Sequence, residues 1–205
     1  MRRVIVLVVG LLASCGSPAA SVVADNSPVA SPSLTYPSPL PAPTPGLPVT
    51  LQIPALKINS PIMQVGLVSG AVGTPCDPTK KTAPCNTNAS AWYNGSVRPG
   101  EPGDAVIDGH VDWYGPAGSN HDIPAVFAHL DQLKVGDAIT ITADDGIART
   151  FLVSALITLP YPQQPLQTYV TSGPAMVTLI TCAGVYVSVA EGMNRRLYVQ
   201  ATVAA

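Results

Sequence analysis

The stretch Ala138-Ile139-Thr140-Ile141-Thr142-Ala143-Asp144-Asp145-Gly146 decides the fold class. Its opening residues alternate apolar and polar with period two. That is the mark of a half-buried strand, because successive side chains on a strand point to opposite faces. Asp144-Asp145-Gly146 supplies a turn, and Arg149-Thr150-Phe151-Leu152-Val153-Ser154-Ala155-Leu156-Ile157 returns, so the two runs make a β-hairpin.

Outward from this hairpin, short apolar and β-branched runs alternate with Gly, Pro and Asp punctuation. Val49-Thr50-Leu51-Gln52-Ile53 and Ile62-Met63-Gln64-Val65 read as strands around the breaks at Pro54 and Pro61. Asp104-Ala105-Val106-Ile107-Asp108-Gly109-His110-Val111 is a largely apolar run that ends on a polar cluster. Met176–Thr181 and Leu197–Val203 complete the set, and no repeat of solenoid length is present. Only Ala125–Lys134 has helical spacing, with Val126, Phe127, Leu130 and Leu133 on one face. Seven or eight short strands and one short helix predict an all-β domain, either a closed barrel or a sandwich.

Composition narrows the function. The chain has 205 residues and a formal net charge of −2, which allows one ordinary domain with an appendage. Its 10 Lys and Arg are scattered singly or in pairs and make no basic stripe, so nucleic acid is excluded as a partner. The body holds no run of 18 uncharged apolar residues, which excludes a polytopic membrane protein.

The N-terminus points to export. Met1-Arg2-Arg3 is a positive leader and Val4–Ala13 an apolar run about 15 Å long as a helix, roughly half a bilayer core. Leu12-Ala13-Ser14-Cys15-Gly16 then resembles a bacterial lipobox, which implies a lipoprotein signal peptide over 1–14 and lipidation of Cys15. Two other readings stand beside it: ordinary cleavage after Val22-Val23-Ala24, and an uncleaved anchor over Val4–Ala24. All three export the domain. Residues 15–47 are rich in Pro, Ser and Ala and read as a linker. Proline lacks the N–H a ladder needs and keeps its predecessor extended, so this stretch reads as a semi-rigid spacer.

Four cysteines follow a simple arithmetic. Cys15 belongs to the leader, and Cys76 and Cys85 bracket a short Pro-bounded loop, a plausible disulfide in an oxidising compartment. Cys182 is left alone before Ala183-Gly184, where the strand reads as opening into a loop; it is either a buried small hydrophobe or a used thiol. His110 stands at the same kind of strand end. His129, opposite the apolar face of its helix, and His121, in a Gly/Ser loop, read as solvated. The spacing of His110, Asp112, His121 and His129 matches no compact zinc pattern. Arg195-Arg196 opens the last strand and puts one guanidinium on each face, where an arginine among apolar strands needs an anion.

These pieces meet a known pattern. Thr178-Leu179-Ile180-Thr181-Cys182 resembles the TLxTC motif of the sortases, the exported cysteine transpeptidases of bacterial cell walls. Gly109-His110-Val111-Asp112 resembles their Gly-His strand end, and Arg196-Leu197-Tyr198-Val199-Gln200-Ala201 resembles their last strand. Leu51–Ile58, Arg98–Gly103 and Phe127–Asp137 extend the likeness over 48–205, in a style closest to the classes called E or F. The paired Cys76 and Cys85 and the lipobox depart from the family pattern.

The resemblance implies a closed sortase-type barrel of seven to eight strands over 48–205. It implies a catalytic set of Cys182, His110 and Arg196, with Arg195 the second choice, and no cofactor or metal. Thr181 is expected to contact the substrate backbone, and Leu159–Ala175 to shape recognition. The implied partners are proteins carrying an LPXTG-like signal and an amine acceptor, either a peptidoglycan precursor or a protein lysine. The implied place is the cell-wall side of the membrane, held there by lipid or anchor. A binding-only domain of the same fold, or a net hydrolase of the same signal, is the alternative.

Overall fold

The computed structural model describes residues 44–68, 71–72, 87–114, 121–188 and 192–204. Cys15, Cys76 and Cys85 therefore lie outside the described residues. Among the described residues twelve strands are formed: β1 (Pro48–Ile53), β2 (Ile58–Val65), β3 (Leu67–Val68), β4 (Ala71–Val72), β5 (Ser90–Tyr93), β6 (Gly103–Asp108), β7 (Asp112–Tyr114), β8 (His121–Pro124), β9 (Ala138–Ala143), β10 (Ala148–Pro160), β11 (Ala175–Ser188) and β12 (Gly192–Val203). Eight of them close into a barrel in the order β1-β2-β5-β6-β11-β12-β10-β9, while β3-β4 and β7-β8 are small separate hairpins. The all-β closed barrel expected from the sequence is the fold observed.

Alternation along the strands sorts the barrel wall into two faces. Leu51, Ile53, Ile107, Ile139, Ile141, Phe151, Val177, Leu179 and Val199 point inward and are almost wholly buried. Between them, the outward residues Val106, Ile180 and Tyr198 form a second apolar cluster with Tyr93, Ile157, Leu159 and Tyr169. The hairpin β9–β10 pairs as predicted, with Thr140 opposite Thr150 and their hydroxyls 3.1 Å apart.

Two pairings are parallel, β2 with β5 and β6 with β11. The second matters most for function. It sets Val106 level with Thr178 and Asp108 level with Ile180, so the ends of β6 and β11 run side by side in the same direction.

Three expectations need correction. The segment Ala125–Lys134 is not an α-helix but a run of turns ending in the 3-10 turn Leu130–Gln132. Its bonds run from Ala128 N–H to Ala125 O, Leu130 N–H to Phe127 O and Leu133 N–H to Leu130 O. Phe127, Leu130 and Leu133 recur every third residue, the period that a 3-10 turn places on one side. Secondly, Cys182 is not at a strand end. β11 continues to Ser188 through a register shift after Ala183, with Gly184 in the left-handed region at φ 84°. Thirdly, Arg195-Arg196 lies inside β12, which begins at Gly192.

Candidate active site

The parallel register builds the site. Cys182 on β11 is the cross-strand partner of Arg196 on β12. On the other side of β11, Asp108 ends β6 opposite Ile180, and two residues further along both strands come His110 and Cys182. The ladder is prolonged past the end of β6: the Gly109 N–H donates to Ile180 O at 3.0 Å. The Thr181 hydroxyl donates to Gly109 O at 2.8 Å. His110, two residues past the end of β6, Cys182 on β11 and Arg196 on β12 thus line one cleft of about 610 Å³ on the outside of the barrel wall.

Gly109 has a steric reason to be glycine. The Phe127 ring lies where its Cβ would stand, so any side chain there would drive apart the turn and the strand. That turn is also fixed to its neighbour, since the Phe127 N–H donates to His110 O at 2.9 Å. His110 is therefore presented by a backbone anchored on both sides.

The two arginines separate by parity. Arg196 lines the cleft with Tyr198, whereas Arg195 pairs with Ala183 on the opposite parity and is exposed. The Arg196 guanidinium lies over the Tyr161 ring at 4.5 Å, and its Nη1 donates to Met193 O and Arg195 O at 2.8 and 2.9 Å. Stacking and two backbone acceptors hold the planar group in place, an arrangement that suits arginine rather than lysine.

Burial dominates the electrostatics. It pushes the Cys182 thiol up, opposed by Arg196 and reinforced by Asp108 and Asp112. It pushes the His110 imidazole down, opposed by Asp112. Both shifts favour a neutral thiol beside a neutral imidazole over a preformed ion pair. Asp108, facing the same cleft, is raised by burial to about 8, with Arg196 pulling the other way.

The remaining expected residues fall as follows. Thr181 is only 2% exposed and its hydroxyl is committed to Gly109, so its side chain braces the His110 turn. His129 is exposed, with Nδ1 3.4 Å from Gln132 Nε2. The side chain of His121 lies outside the described residues. Among the described residues no group of three or more His, Cys, Asp or Glu is placed to hold a metal ion. Sequence reasoning left open whether Asp108 or Asp112 could reach His110, and did not single out Tyr161, Tyr169 or Tyr198 as cleft residues; Asp108 and all three tyrosines line the cleft. The signal for Tyr198 was available, because it shares the parity of Arg196.

The sequence profile of the sortase domain matches residues 51–204, and the chain belongs to the sortase family. Sortase C1 from Streptococcus agalactiae has the same fold, with a TM-score of 0.54 and 22% identity over 77% of this chain and 67% of that one. Sortase A from Corynebacterium diphtheriae matches with a TM-score of 0.55 and 24% identity, over 80% of this chain and 63% of its own length. Sortase C from Streptococcus pneumoniae matches at 0.55 and 18% identity, over 77% and 68%. Among curated proteins no sequence matches.

Proposed function

We propose that the protein is an active cysteine transpeptidase that cleaves an LPXTG-like sorting signal through an acyl-enzyme on Cys182 and passes the acyl group to an amine. The observation that carries this reading is the convergence of Cys182, His110 and Arg196, from three adjacent barrel strands or their ends, on one cleft. Membership of the sortase family supports it, since members are cysteine transpeptidases of the extracytoplasmic membrane face. The finer placement in class E or F rests on the sequence motifs alone.

The chemistry follows from the neutral resting pair. His110 takes the Cys182 proton as the sulfur attacks the scissile carbonyl carbon, which forms the C–S bond and an oxyanion. Arg196 supplies donors to that oxyanion. Collapse breaks the C–N bond, and the imidazolium proton goes to the leaving amine, leaving a thioester. An incoming amine then attacks the thioester and gives its proton to His110, and the sulfur departs and is reprotonated. Thr181 contributes by holding Gly109, and through it His110, in place.

The same reading covers the ends of the chain. Residues 1–14 act as a lipoprotein-type signal peptide and Cys15 carries the lipid. Residues 15–47 space the 48–205 domain from the membrane, on the cell-wall side. Among the described residues no helix is long and apolar enough to cross a membrane. Cys76 and Cys85 pair as a disulfide and leave Cys182 free; non-reducing mass mapping checks this, and a bridge to Cys182 would contradict it.

The deciding experiment incubates the purified protein with a panel of LPXTG-type peptides, with and without amine acceptors, and reads products by mass. A transpeptidase gives an amine adduct and a trappable Cys182 thioester. Cleavage that ignores added amine identifies a hydrolase, and no cleavage of any peptide leaves a binding domain.

A further inference from the structure

The catalytic row uses one end of the outward face of β6, β11 and β12; the other end holds an arrangement the chemistry leaves unexplained. Asp104, at the start of β6, is fully buried with Thr178, and Thr168 and Gln200 are nearly so. Asp104 Oδ1, Thr168 Oγ1, Thr178 Oγ1 and Gln200 Nε2 have no hydrogen bond within 3.5 Å, although the Thr178 hydroxyl and N–H lie close enough to the Asp104 carboxyl to oppose part of the effect of its burial. Buried polar atoms in that condition do not stabilise a fold. The other oxygen of Asp104 is engaged: Oδ2 accepts the Tyr169 N–H at 3.1 Å. The Asp104 N–H donates to Val170 O at 2.8 Å, so one residue grips both sides of Tyr169.

The gripped residue is strained. Tyr169 has φ 66°, a region that bulky residues rarely occupy and that surrounding structure must enforce. The backbone that follows it, at Val170 and Thr171, passes close over Gly103, whose φ is 116° and whose Cβ, if present, would stand 2.5 Å from Val170 O. The outcome is a ring placed in the cleft wall, edge-on to Tyr93 at 5.8 Å and facing the space shared with Cys182 and Arg196. A second strut holds the same segment, since Tyr198 Oη donates to Gln163 O at 2.8 Å.

We propose that Asp104 is a positioning residue for substrate recognition: its buried carboxyl holds Tyr169 in the left-handed conformation that turns the ring into the cleft, where the ring contacts the peptide bound beside Cys182. This rests on the transpeptidase reading and names two residues that set peptide affinity without entering the chemistry. Asp104 reaches the substrate only through Tyr169. Losing it should weaken peptide binding and leave bond cleavage alone.

The test combines steady-state kinetics on the best-cleaved peptide of the panel, the alkylation rate of Cys182 by iodoacetamide, and amide hydrogen exchange at Tyr169. Asp104→Ala should raise KM at least about fivefold with kcat and alkylation within about twofold of wild type. Its Tyr169 amide should exchange at least about tenfold faster. Asp104→Asn keeps an acceptor oxygen and should return both KM and the Tyr169 exchange rate to near wild type. Tyr169→Ala removes a ring that packs on the outward cluster of Val106, Ile180 and Tyr198, not in the barrel core, and should raise KM by a similar factor. An unchanged KM in Tyr169→Ala overturns the proposal even where Asp104→Ala fails to fold. So does an Asn variant that behaves like the Ala variant. Exchange judges the positioning without turnover: an unchanged Tyr169 amide in Asp104→Ala overturns it, whereas a wild type that cleaves no peptide overturns the transpeptidase reading instead.

Discussion

Strands β6, β11 and β12 carry two surfaces of opposite character on the same backbone. Inward, Ala105, Ile107, Val177, Leu179, Leu197, Val199 and Ala201 form an apolar wall. Outward, the rows read Val106, Thr178, Gln200; then Asp108, Ile180, Tyr198; then Cys182 and Arg196, with His110 beyond the end of β6. The inward surface holds the barrel together, and the outward one gathers carboxyls, hydroxyls, a thiol and a guanidinium where burial distorts their chemistry. A strand period of two lets one stretch of sequence serve both ends without compromise.

If that division is real, substitutions on the two faces should fail in different ways. The largest effect is expected at Cys182 and His110. Changing either to Ala should cut turnover at least about a thousandfold while leaving the unfolding midpoint nearly unchanged, read by peptide cleavage and thermal melts on the same samples. Retained wild-type cleavage by Cys182→Ala would end the enzymatic reading.

On the inward face, Leu179→Ala should do the reverse. It should cost about 2–5 kcal/mol of stability through lost burial and a residual cavity, with activity per folded molecule preserved; denaturant unfolding alongside active-site titration measures both. A large loss of activity in the folded fraction would show that the faces are coupled.

The two arginines give a sharper version of the contrast. Arg196→Ala should lose about a hundred- to a thousandfold in kcat, the range for one oxyanion donor. Arg195→Ala, exposed and on the other parity, should stay near wild type. Arg196→Lys should also be impaired, because an ammonium cannot reproduce the fork held over Tyr161. The reverse ranking would reassign the role.

The smallest effect concerns protons on the outward face. Asp104 is raised by burial to about 6 and Asp108 to about 8. A carboxyl that holds its proton more tightly when folded contributes stability fully present below its unfolded pKa, about 4. That stability is lost as pH rises through the folded value. Wild type should therefore lose stability between about pH 4 and pH 8, against the usual trend for carboxylates. Asp104→Asn should remove part of the loss, gaining about 1–3 kcal/mol at pH 8 and little at pH 4. Denaturant melts across that range check the sign, and a gain confined to low pH would refute the assignment.

The inward face was the legible one. Ala138–Ala143 and Phe151–Val153 declared their burial by alternation, and the barrel followed from counting such runs. The helix over Ala125–Lys134 was misread because apolar residues at 127, 130 and 133 fit periods of 3.6 and 3 equally well over so short a stretch. β11 was ended too early because Ala183-Gly184 looks like a loop when it is a register shift inside a strand. Asp104 and Asp108 looked like polar flanks of an apolar run. Their partners lie about seventy residues away, across a parallel pairing that local periodicity does not encode. The candidate triad itself came from resemblance to a family, and no spacing rule would have joined residues 110, 182 and 196.

The long reach of that parallel pairing also orders events in time. The Thr181 hydroxyl and the Gly109 carbonyl that meet across it are 72 residues apart in the chain, and contacts between distant segments form late because a large loop must close first. His110 comes beside Cys182 only when β11 docks on β6, and Arg196 only when β12 zips onto β11. Under the proposed transpeptidase reading, a chain whose barrel has not yet closed carries a thiol with no base and no oxyanion donor beside it. Closure of the barrel is thus also the moment the thiol acquires its partners, and a truncated or half-folded molecule should be chemically silent toward peptide bonds.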